Sequence, residues 1–189
     1  MTISNYLRES CQAIERTIAH PGVANVDKAS AVIVAALRQQ KPLMVCGNGG
    51  SASDAMHITG ELVGRFLKER KAINCICLTS NAAVLTAWAN DYSYETVFAR
   101  QVEAYGSSGG VLLGISTSGN STNVLRAFDT ARAQNVVTIA MTGEGGGRLA
   151  PLSDILIDVP SRRTPIVQQL HVCLYHYLCQ KIEIGMSEG

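Results

Sequence analysis

Two short polar loops, each directly after an apolar run, carry residues suited to binding an anion. They are "CGNGGSAS" at 46–53 and "STSGNS" at 116–121. The second loop contributes four hydroxyl groups, on Ser116, Thr117, Ser118 and Ser121. Glycines permit tight turns, and a helix that starts after such a loop offers free N–H groups and the positive end of its dipole. Both loops therefore predict a phosphate site, although serines at a helix start also serve as caps.

Two further segments place titratable side chains at helical spacing. His57 and Glu61 are four residues apart on the helix predicted after the first loop, so they share a face. Such a pair, taken alone, is more often a surface contact. The last predicted helix is apolar except for Gln168, Gln169, His171 and His176. Gln168 and His176 lie on neighbouring stripes separated by roughly 12 Å of helix rise, whereas His171 is expected at a subunit interface.

The pattern of apolar runs predicts an α/β fold of three layers. Two amphipathic helices near 3–19 and 26–40, separated by "HPG", predict an N-terminal helical hairpin. The predicted strands are 42–47, 72–78, 110–116, 136–142 and 154–160, and the later predicted helices are 51–66, 81–89, 93–104, 121–134 and 165–186. Continuous apolarity in the strands indicates a parallel sheet covered on both faces. Ligands bind beyond the carboxyl ends of such strands, where both polar loops fall.

Composition excludes several classes of function. Sixteen basic residues nearly cancel fifteen acidic ones, without blocks of one sign, so neither nucleic acid nor an anionic membrane is an expected partner. The amino terminus has no apolar signal core and no apolar stretch is long enough to cross a bilayer, which predicts a cytoplasmic location. The length predicts one domain. The six cysteines lie in apolar segments and are expected to be reduced core thiols.

Five motifs occur in an order and spacing that resemble the sugar isomerase (SIS) domain family and, within it, the phosphoheptose isomerases. They are "CGNGGSASDAMH", "AND", "GISTSGNS", "TGEGGG" and "IVQQLH". The resemblance covers nearly the whole chain, so a single SIS domain is expected over residues 1–189. It implies a flavodoxin-like, doubly wound sheet of five parallel strands and a homotetramer to which the hairpin at 1–40 contributes. It also implies sugar-phosphate sites at the subunit interfaces.

The same resemblance implies roles for individual residues. Glu61 would transfer the carbon proton, and His176 would move oxygen protons and open the sugar ring. In several family members, residues matching His57, Glu61, Gln168 and His176 bind zinc, which implies one exchangeable Zn²⁺ per subunit. The implied substrate contacts are Asn48, Gly49, Gly50, Ser51, Glu61, Asn90, Asp91, Ser116, Thr117, Ser118, Ser121 and Gln168. Asp91 has a competing interpretation as a helix cap.

The reaction implied is the conversion of sedoheptulose 7-phosphate to D-glycero-D-manno-heptose 7-phosphate through an enediolate. It would supply nucleotide-activated heptose for surface glycans such as lipopolysaccharide. Two alternatives stay open: a non-catalytic module of the replication-initiation, DnaA-binding type, and an isomerase of another sugar phosphate. The replication type lacks the glutamate and the second histidine, so Glu61 and His176 favour catalysis.

One departure from the family pattern concerns the stretch "SRRTPIVQ" ahead of Gln168. Some heptose isomerases carry an acidic residue there, and its absence leaves stereochemical control open. Arg162 and Arg163 in this stretch have two interpretations. They contact the substrate or a neighbouring subunit, or they belong to a solvated turn.

Overall fold

Five parallel strands form the central sheet of the computed structural model, which describes residues 2–187. The strands are β1 Leu43–Gly47, β2 Cys75–Cys77, β3 Val111–Ser116, β4 Val137–Thr142 and β5 Ile155–Asp158, in the spatial order β2-β1-β3-β4-β5. β1 and β3 are neighbours, with Gly47 opposite Ile115, so the two polar loops leave the sheet side by side. The predicted class, strand number and parallel sheet are confirmed.

Helices cover both faces of the sheet. The α-helices are α1 Ile3–Ile18, α2 Pro21–Arg38, α3 Gly50–Val63, α4 Ala82–Asp91, α5 Val97–Tyr105, α6 Thr122–Ala133 and α7 Thr164–Ser187, and short 3₁₀ turns span Tyr94–Thr96 and Gly147–Leu152. One apolar cluster joins the sheet to α2, α3 and α7, and a second joins it to α5 and α6. β1 and β3 are buried along their whole length, which explains their continuous apolarity.

Several predicted boundaries differ from the structure, the start of α2 and the length of the second strand among them. α2 begins at Pro21 rather than near Val26, because "HPG" starts this helix instead of separating two helices. Proline needs no N–H partner in a first turn, and the His20 ring accepts the N–H of Gly22 at 3.1 Å. The second strand is three residues long rather than the seven predicted from 72–78, and it lies at the edge of the sheet.

The cysteines are all unpaired as thiols, but not all of them lie in the core. Cys46, Cys75, Cys77 and Cys179 are buried, and burial raises the pKa of Cys75 to about 12. Cys11 and Cys173 are exposed, so the prediction of six core thiols was wrong for these two. Apolar neighbours along a helix do not decide which way a side chain faces. No described helix combines the length and apolarity needed to cross a bilayer.

His171 lies inside the subunit core rather than at a subunit surface, so its predicted interface position was wrong. The side chain is fully buried, and its Nε2 donates to the backbone oxygen of Thr142 at 3.1 Å. Its Nδ1 has no hydrogen-bond partner among the described residues. Burial outweighs this one hydrogen bond and lowers the pKa of His171 from 6.5 to about 4. The buried ring is therefore neutral at physiological pH.

This neutral ring predicts a loss of stability in mild acid. Between pH 6.5 and 4 the unfolded chain binds a proton at His171 that the folded protein resists, so the free energy of unfolding falls as the pH falls. The loss between pH 7 and 4.5 is roughly 2 kcal/mol from this residue. Urea unfolding of the wild type and of His171→Leu at both pH values measures it. The variant should be less stable at pH 7 but less sensitive to acid, and equal pH sensitivity would contradict the assignment.

Candidate active site

The two glycine-containing loops leave neighbouring strands, and a third loop, at 143–149, supports the second of them. Gly119 has a positive φ of 66°, and a Cβ on it would overlap the backbone oxygen of Gly146. The backbone oxygen of Gly119 accepts the N–H of Leu149 at 2.9 Å, and that of Thr117 accepts the N–H of Gly143 at 3.0 Å. Only glycine fits this crossing of two backbones. The "TGEGGG" motif thus supports the hydroxyl-rich loop.

The hydroxyl groups of that loop are arranged around the start of α6. Ser116 Oγ and Ser121 Oγ lie 2.9 Å apart, and Ser118 Oγ accepts the N–H of Asn120 at 3.1 Å. Ser121 occupies the N-cap position of α6, but its side chain makes no capping hydrogen bond within the described chain. The capping interpretation of these serines was therefore wrong for α6. Two hydroxyls and the positive end of a helix dipole converge here, which suits a phosphate.

Asn48 joins the first loop to the second. Its Nδ2 donates to Asn123 Oδ1 at 2.8 Å, and Asn123 Nδ2 donates back to Asn48 Oδ1 at 2.9 Å. The hydroxyl of Tyr94 donates to the same Asn48 oxygen at 3.0 Å. Sequence reasoning missed Asn123 and Tyr94. Asn123 lies two residues after the second loop, and this position was the one available signal.

The remaining predicted substrate contacts lie at helix ends. Ser51 is buried in the first turn of α3, where its N–H donates to the backbone oxygen of Asn48 at 3.0 Å. Asn90 and Asp91 are exposed at the end of α4, and Asn90 Nδ2 donates to Asp91 Oδ1 at 2.9 Å. Ser93 caps the next helical turn, so the capping interpretation of Asp91 was wrong.

Two imidazoles and a carboxylate converge between α3 and α7. His57 Nε2 lies 3.0 Å from Glu61 Oε1 and 3.4 Å from His176 Nε2. One ligand atom from each of the three residues lies within 4.8 Å of the others. Two imidazole nitrogens and a carboxylate oxygen form a donor set that suits Zn²⁺. The pair at i and i+4 is thus part of a cluster and not an isolated surface contact.

Gln168 lies at the other end of the same helix pair. Its amide packs against Gly50, where a Cβ would overlap it. Since Gly50 contacts Gln168 while His57 contacts His176, α3 and α7 run alongside each other in the same direction. Gln168 therefore borders the first glycine loop, and His176 borders the carboxylate of Glu61. Because the two helices are parallel, Gln168 and His176 contact different turns of α3, about as far apart as the two residues are along α7.

Aromatic rings surround the cluster, and sequence reasoning missed them. Phe66 stacks almost parallel on His176, with ring centroids 5.8 Å apart and planes 8° apart. Tyr175 meets His57 edge to face at 5.4 Å. Phe66 belongs to the loop after α3, so the shape of that loop sets one wall of the site.

A buried carboxylate holds that loop in place. Glu183 is 1% exposed and accepts the N–H groups of Phe66, Leu67 and Lys68 at 3.2, 2.8 and 3.0 Å. Arg70 Nε lies 3.2 Å from Glu183 Oε1, an ion pair without hydrogen-bond alignment. Burial alone would raise the pKa of Glu183, but these donors and Arg70 leave it below its usual value. Arg70 also donates to the backbone oxygen of Glu61 at 2.7 Å, so it links the loop to the cluster.

The two arginines ahead of α7 each have an acidic partner. Arg162 Nε donates to Glu144 Oε2 at 2.8 Å, in an exposed pair beside a cavity of about 310 Å³ that Thr117 and Ser118 also line. Arg163 pairs with Glu9, so it ties α1 to the start of α7. The structure therefore gives Arg163 a role within the chain.

Comparison with known proteins finds consistent similarity to one group. The SIS domain family matches residues 5–143. A phosphoheptose isomerase of Nitratiruptor sp. is 51% identical over 155 residues, covering 82% of this chain and 83% of the relative. The solved phosphoheptose isomerase of Neisseria gonorrhoeae superposes with a TM-score of 0.90 at 36% identity over 96% of each chain. The sugar isomerase domain of a Sphaerobacter thermophilus RpiR transcription factor, at 18% identity and a TM-score of 0.63, shares the fold alone.

Proposed function

The chain belongs to the SIS domain family, and from this premise we propose that it is a phosphoheptose isomerase that converts sedoheptulose 7-phosphate to D-glycero-D-manno-heptose 7-phosphate. The observation that carries the proposal is the meeting of Glu61 with His57 and His176 on helices that start beside the glycine loops. A base and proton carriers next to a phosphate-binding loop are what an aldose–ketose isomerase requires.

The reaction moves a proton between two adjacent carbons through an enediolate, and it moves further protons among the oxygens. Glu61 takes and returns the carbon proton, because a carboxylate beside the sugar carbon can act in both directions. His176 moves the oxygen protons and opens the ring, with its imidazole held against Phe66. The phosphate is bound by the hydroxyl loop and the N-terminus of α6. The phosphate contacts are Ser116, Thr117, Ser118 and Ser121, and the sugar contacts are Asn48, Gly49, Gly50, Ser51, Asn90, Asp91 and Gln168.

Zn²⁺, one ion per subunit, is the metal that this site would hold. His57, Glu61 and His176 would bind it through the three converging atoms. The family resemblance adds Gln168 as a fourth ligand, although its amide lies against Gly50 in this structure. When bound, such an ion polarises a carbonyl oxygen and stabilises developing negative charge. An amide ligand is unusual for structural zinc, so the ion is exchangeable.

The assembly proposed is a homotetramer, with the hairpin at 1–40 taking part in its contacts. One face of α1 supports this, because four large apolar side chains point outward along it. They are Ile3, Leu7, Ile14 and Ile18, which are 71, 55, 44 and 76% exposed. Their spacing forms a single stripe that a second copy of the chain would cover. The sites would then lie near subunit contacts, in a cytoplasmic enzyme that supplies heptose for surface glycans.

Two other functions remain as outcomes of a test. A binding module of the replication-initiation type would have no use for the convergence of Glu61 and His176. An isomerase of another sugar phosphate would use the same loops, since these recognise phosphate rather than the number of carbons.

The deciding experiment is NMR of the purified protein with sedoheptulose 7-phosphate in D₂O, with and without added zinc. We expect deuterium on the carbon next to the carbonyl together with formation of the aldose. A parallel sample with a pentose 5-phosphate tests sugar length. Neither deuterium nor aldose in any sample would contradict the isomerase proposal, and faster turnover of the pentose would favour the other isomerase.

Replacing the converging hydroxyls should weaken substrate binding more than chemistry. Ser116→Ala combined with Ser121→Ala removes two donors to the phosphate, and hydrogen bonds to a charged group are worth about 1.5–3 kcal/mol each. KM should therefore rise about 100-fold or more while kcat changes little. Thr130→Ala, at the far end of α6, is the matched control and should leave both constants unchanged. A fall in kcat at constant KM would show that these hydroxyls do not bind the phosphate.

A further inference from the structure

A buried tyrosine connects the imidazole of His57 to a buried carboxylate. Tyr175 is 1% exposed, and its hydroxyl oxygen lies 2.9 Å from His57 Nδ1 and 3.5 Å from Asp54 Oδ1. Asp54 is buried one turn before His57 on α3, and its Oδ2 has no hydrogen-bond partner within the described chain. None of the roles assigned above uses Tyr175 or Asp54. A buried hydroxyl and a buried carboxylate thus lie on the Nδ1 side of this imidazole, away from Glu61 and His176.

The two nitrogens of His57 face different partners. Nε2 faces Glu61 and His176, whereas Nδ1 faces the hydroxyl of Tyr175. When Nε2 offers its lone pair to a cation, the ring proton must be on Nδ1 and needs a buried acceptor. The Tyr175 oxygen accepts this proton only if its own O–H is donated elsewhere. Asp54 is the group beside it that can take that hydrogen bond, because an ionised carboxylate only accepts.

We propose that Tyr175 and Asp54 are positioning residues for His57: in the cation-bound protein His57 Nδ1–H donates to Tyr175, and Tyr175 O–H donates to Asp54. The chain of hydrogen bonds orients the ring and directs Nε2 at the centre shared with Glu61 and His176. The inference rests on the proposed metal site. It assigns the donor and the acceptor of each hydrogen bond. In the opposite arrangement Tyr175 would donate to Nδ1.

The two directions predict opposite effects of removing the hydroxyl. If Tyr175 accepts from Nδ1, Tyr175→Phe leaves a buried N–H without an acceptor in the zinc-bound protein, and zinc affinity falls. Loss of such a partner costs about 10- to 100-fold in metal affinity. If Tyr175 donates to Nδ1, the hydroxyl holds the proton on Nε2 and competes with zinc, so its removal leaves the affinity unchanged or raises it.

The test measures the zinc dissociation constant by competition with a chromogenic chelator, independently of activity. Tyr175→Phe should raise this constant about 10- to 100-fold. Asp54→Asn should raise it by less, because an amide oxygen still accepts from Tyr175 but carries no charge. Tyr177→Phe is the matched control, since its hydroxyl lies two residues along α7 on Asp27 and outside the site. Thermal unfolding of each variant shows whether the fold is kept.

A spectroscopic readout separates positioning from a loss of packing. In long-range ¹H–¹⁵N spectra of the zinc-loaded wild type, His57 should carry its proton on Nδ1, with the signal assigned by its absence in His57→Gln. That proton should exchange faster in Tyr175→Phe, and its exchange rate should be unchanged in Tyr177→Phe. Unchanged or tighter zinc binding by Tyr175→Phe would overturn the proposal, as would a wild type that binds no zinc. The D₂O assay on the same samples shows separately whether isomerase activity survives.

Discussion

Glu61→Gln is expected to abolish turnover while leaving the fold and sugar-phosphate binding intact. Glutamine has the shape of glutamate but cannot take up the carbon proton, and a positioned base contributes about 10²- to 10⁴-fold to the rate. We therefore expect kcat to fall by at least about 10²-fold. Deuterium exchange at the carbon next to the carbonyl should disappear in parallel, since this step precedes aldose formation.

The control for this change is Glu69→Gln, which alters an exposed carboxylate in the loop after α3. It should leave kcat and KM unchanged. Because Glu61 also belongs to the proposed zinc site, substrate binding by calorimetry and zinc content are measured for both variants. Turnover of Glu61→Gln within about tenfold of the wild type would be inconsistent with its role as the base.

Glu183→Gln is expected to lower the free energy of unfolding by about 3 kcal/mol, because breaking a buried ion pair leaves an uncompensated charge. Glutamine would bring its own N–H donors against the backbone N–H groups of residues 66–68 and leave Arg70 without its carboxylate. The loop that carries Phe66 should loosen as well. Activity should then decrease although Glu183 touches no substrate.

Urea unfolding at equal protomer concentration measures this effect, since assembly makes apparent stability depend on concentration. Glu103→Gln breaks the exposed pair with Arg100 and is the matched control, with an expected cost of about 0.5 kcal/mol or less. If the two variants lost similar free energies of unfolding, the buried Glu183 carboxylate would stabilise the fold no more than a surface ion pair does.

The fold was predictable from the sequence because its determinants are local. Unbroken apolar runs such as 110–116 indicate a strand buried on both faces, and glycine-rich stretches mark where strands end. The errors arose where a specific contact, rather than the apolar pattern, decides. "HPG" was predicted to separate two helices, but the His20 ring caps the helix that Pro21 begins. The strand Cys75–Cys77 lies at the edge of the sheet and pairs with β1 through these three residues alone.

The loops of the candidate site were predictable from the sequence, but the side-chain contacts between distant segments were not. Asn123 reaches Asn48 across 75 positions, and Glu183 reaches Leu67 across 116, so no pattern within a segment indicates either contact. The same limit applies to the histidines of α7. Spacing placed His171 and His176 on different sides of one helix but did not say which side meets α3.

By itself, the sequence determined the α/β class, the strand order along the chain and the two polar loops, since short-range periodicity and turn chemistry encode these. The family resemblance implied that His176 joins His57 and Glu61, which spacing alone could not decide, and the tertiary structure brings the three together. Only the tertiary structure decided that His171 is buried beneath Thr142. It also decided that Ser116 and Ser121 face each other instead of capping α6. The physical reason is that the rotation of one helix against another is set by the packing of both, and packing energy belongs to no single segment.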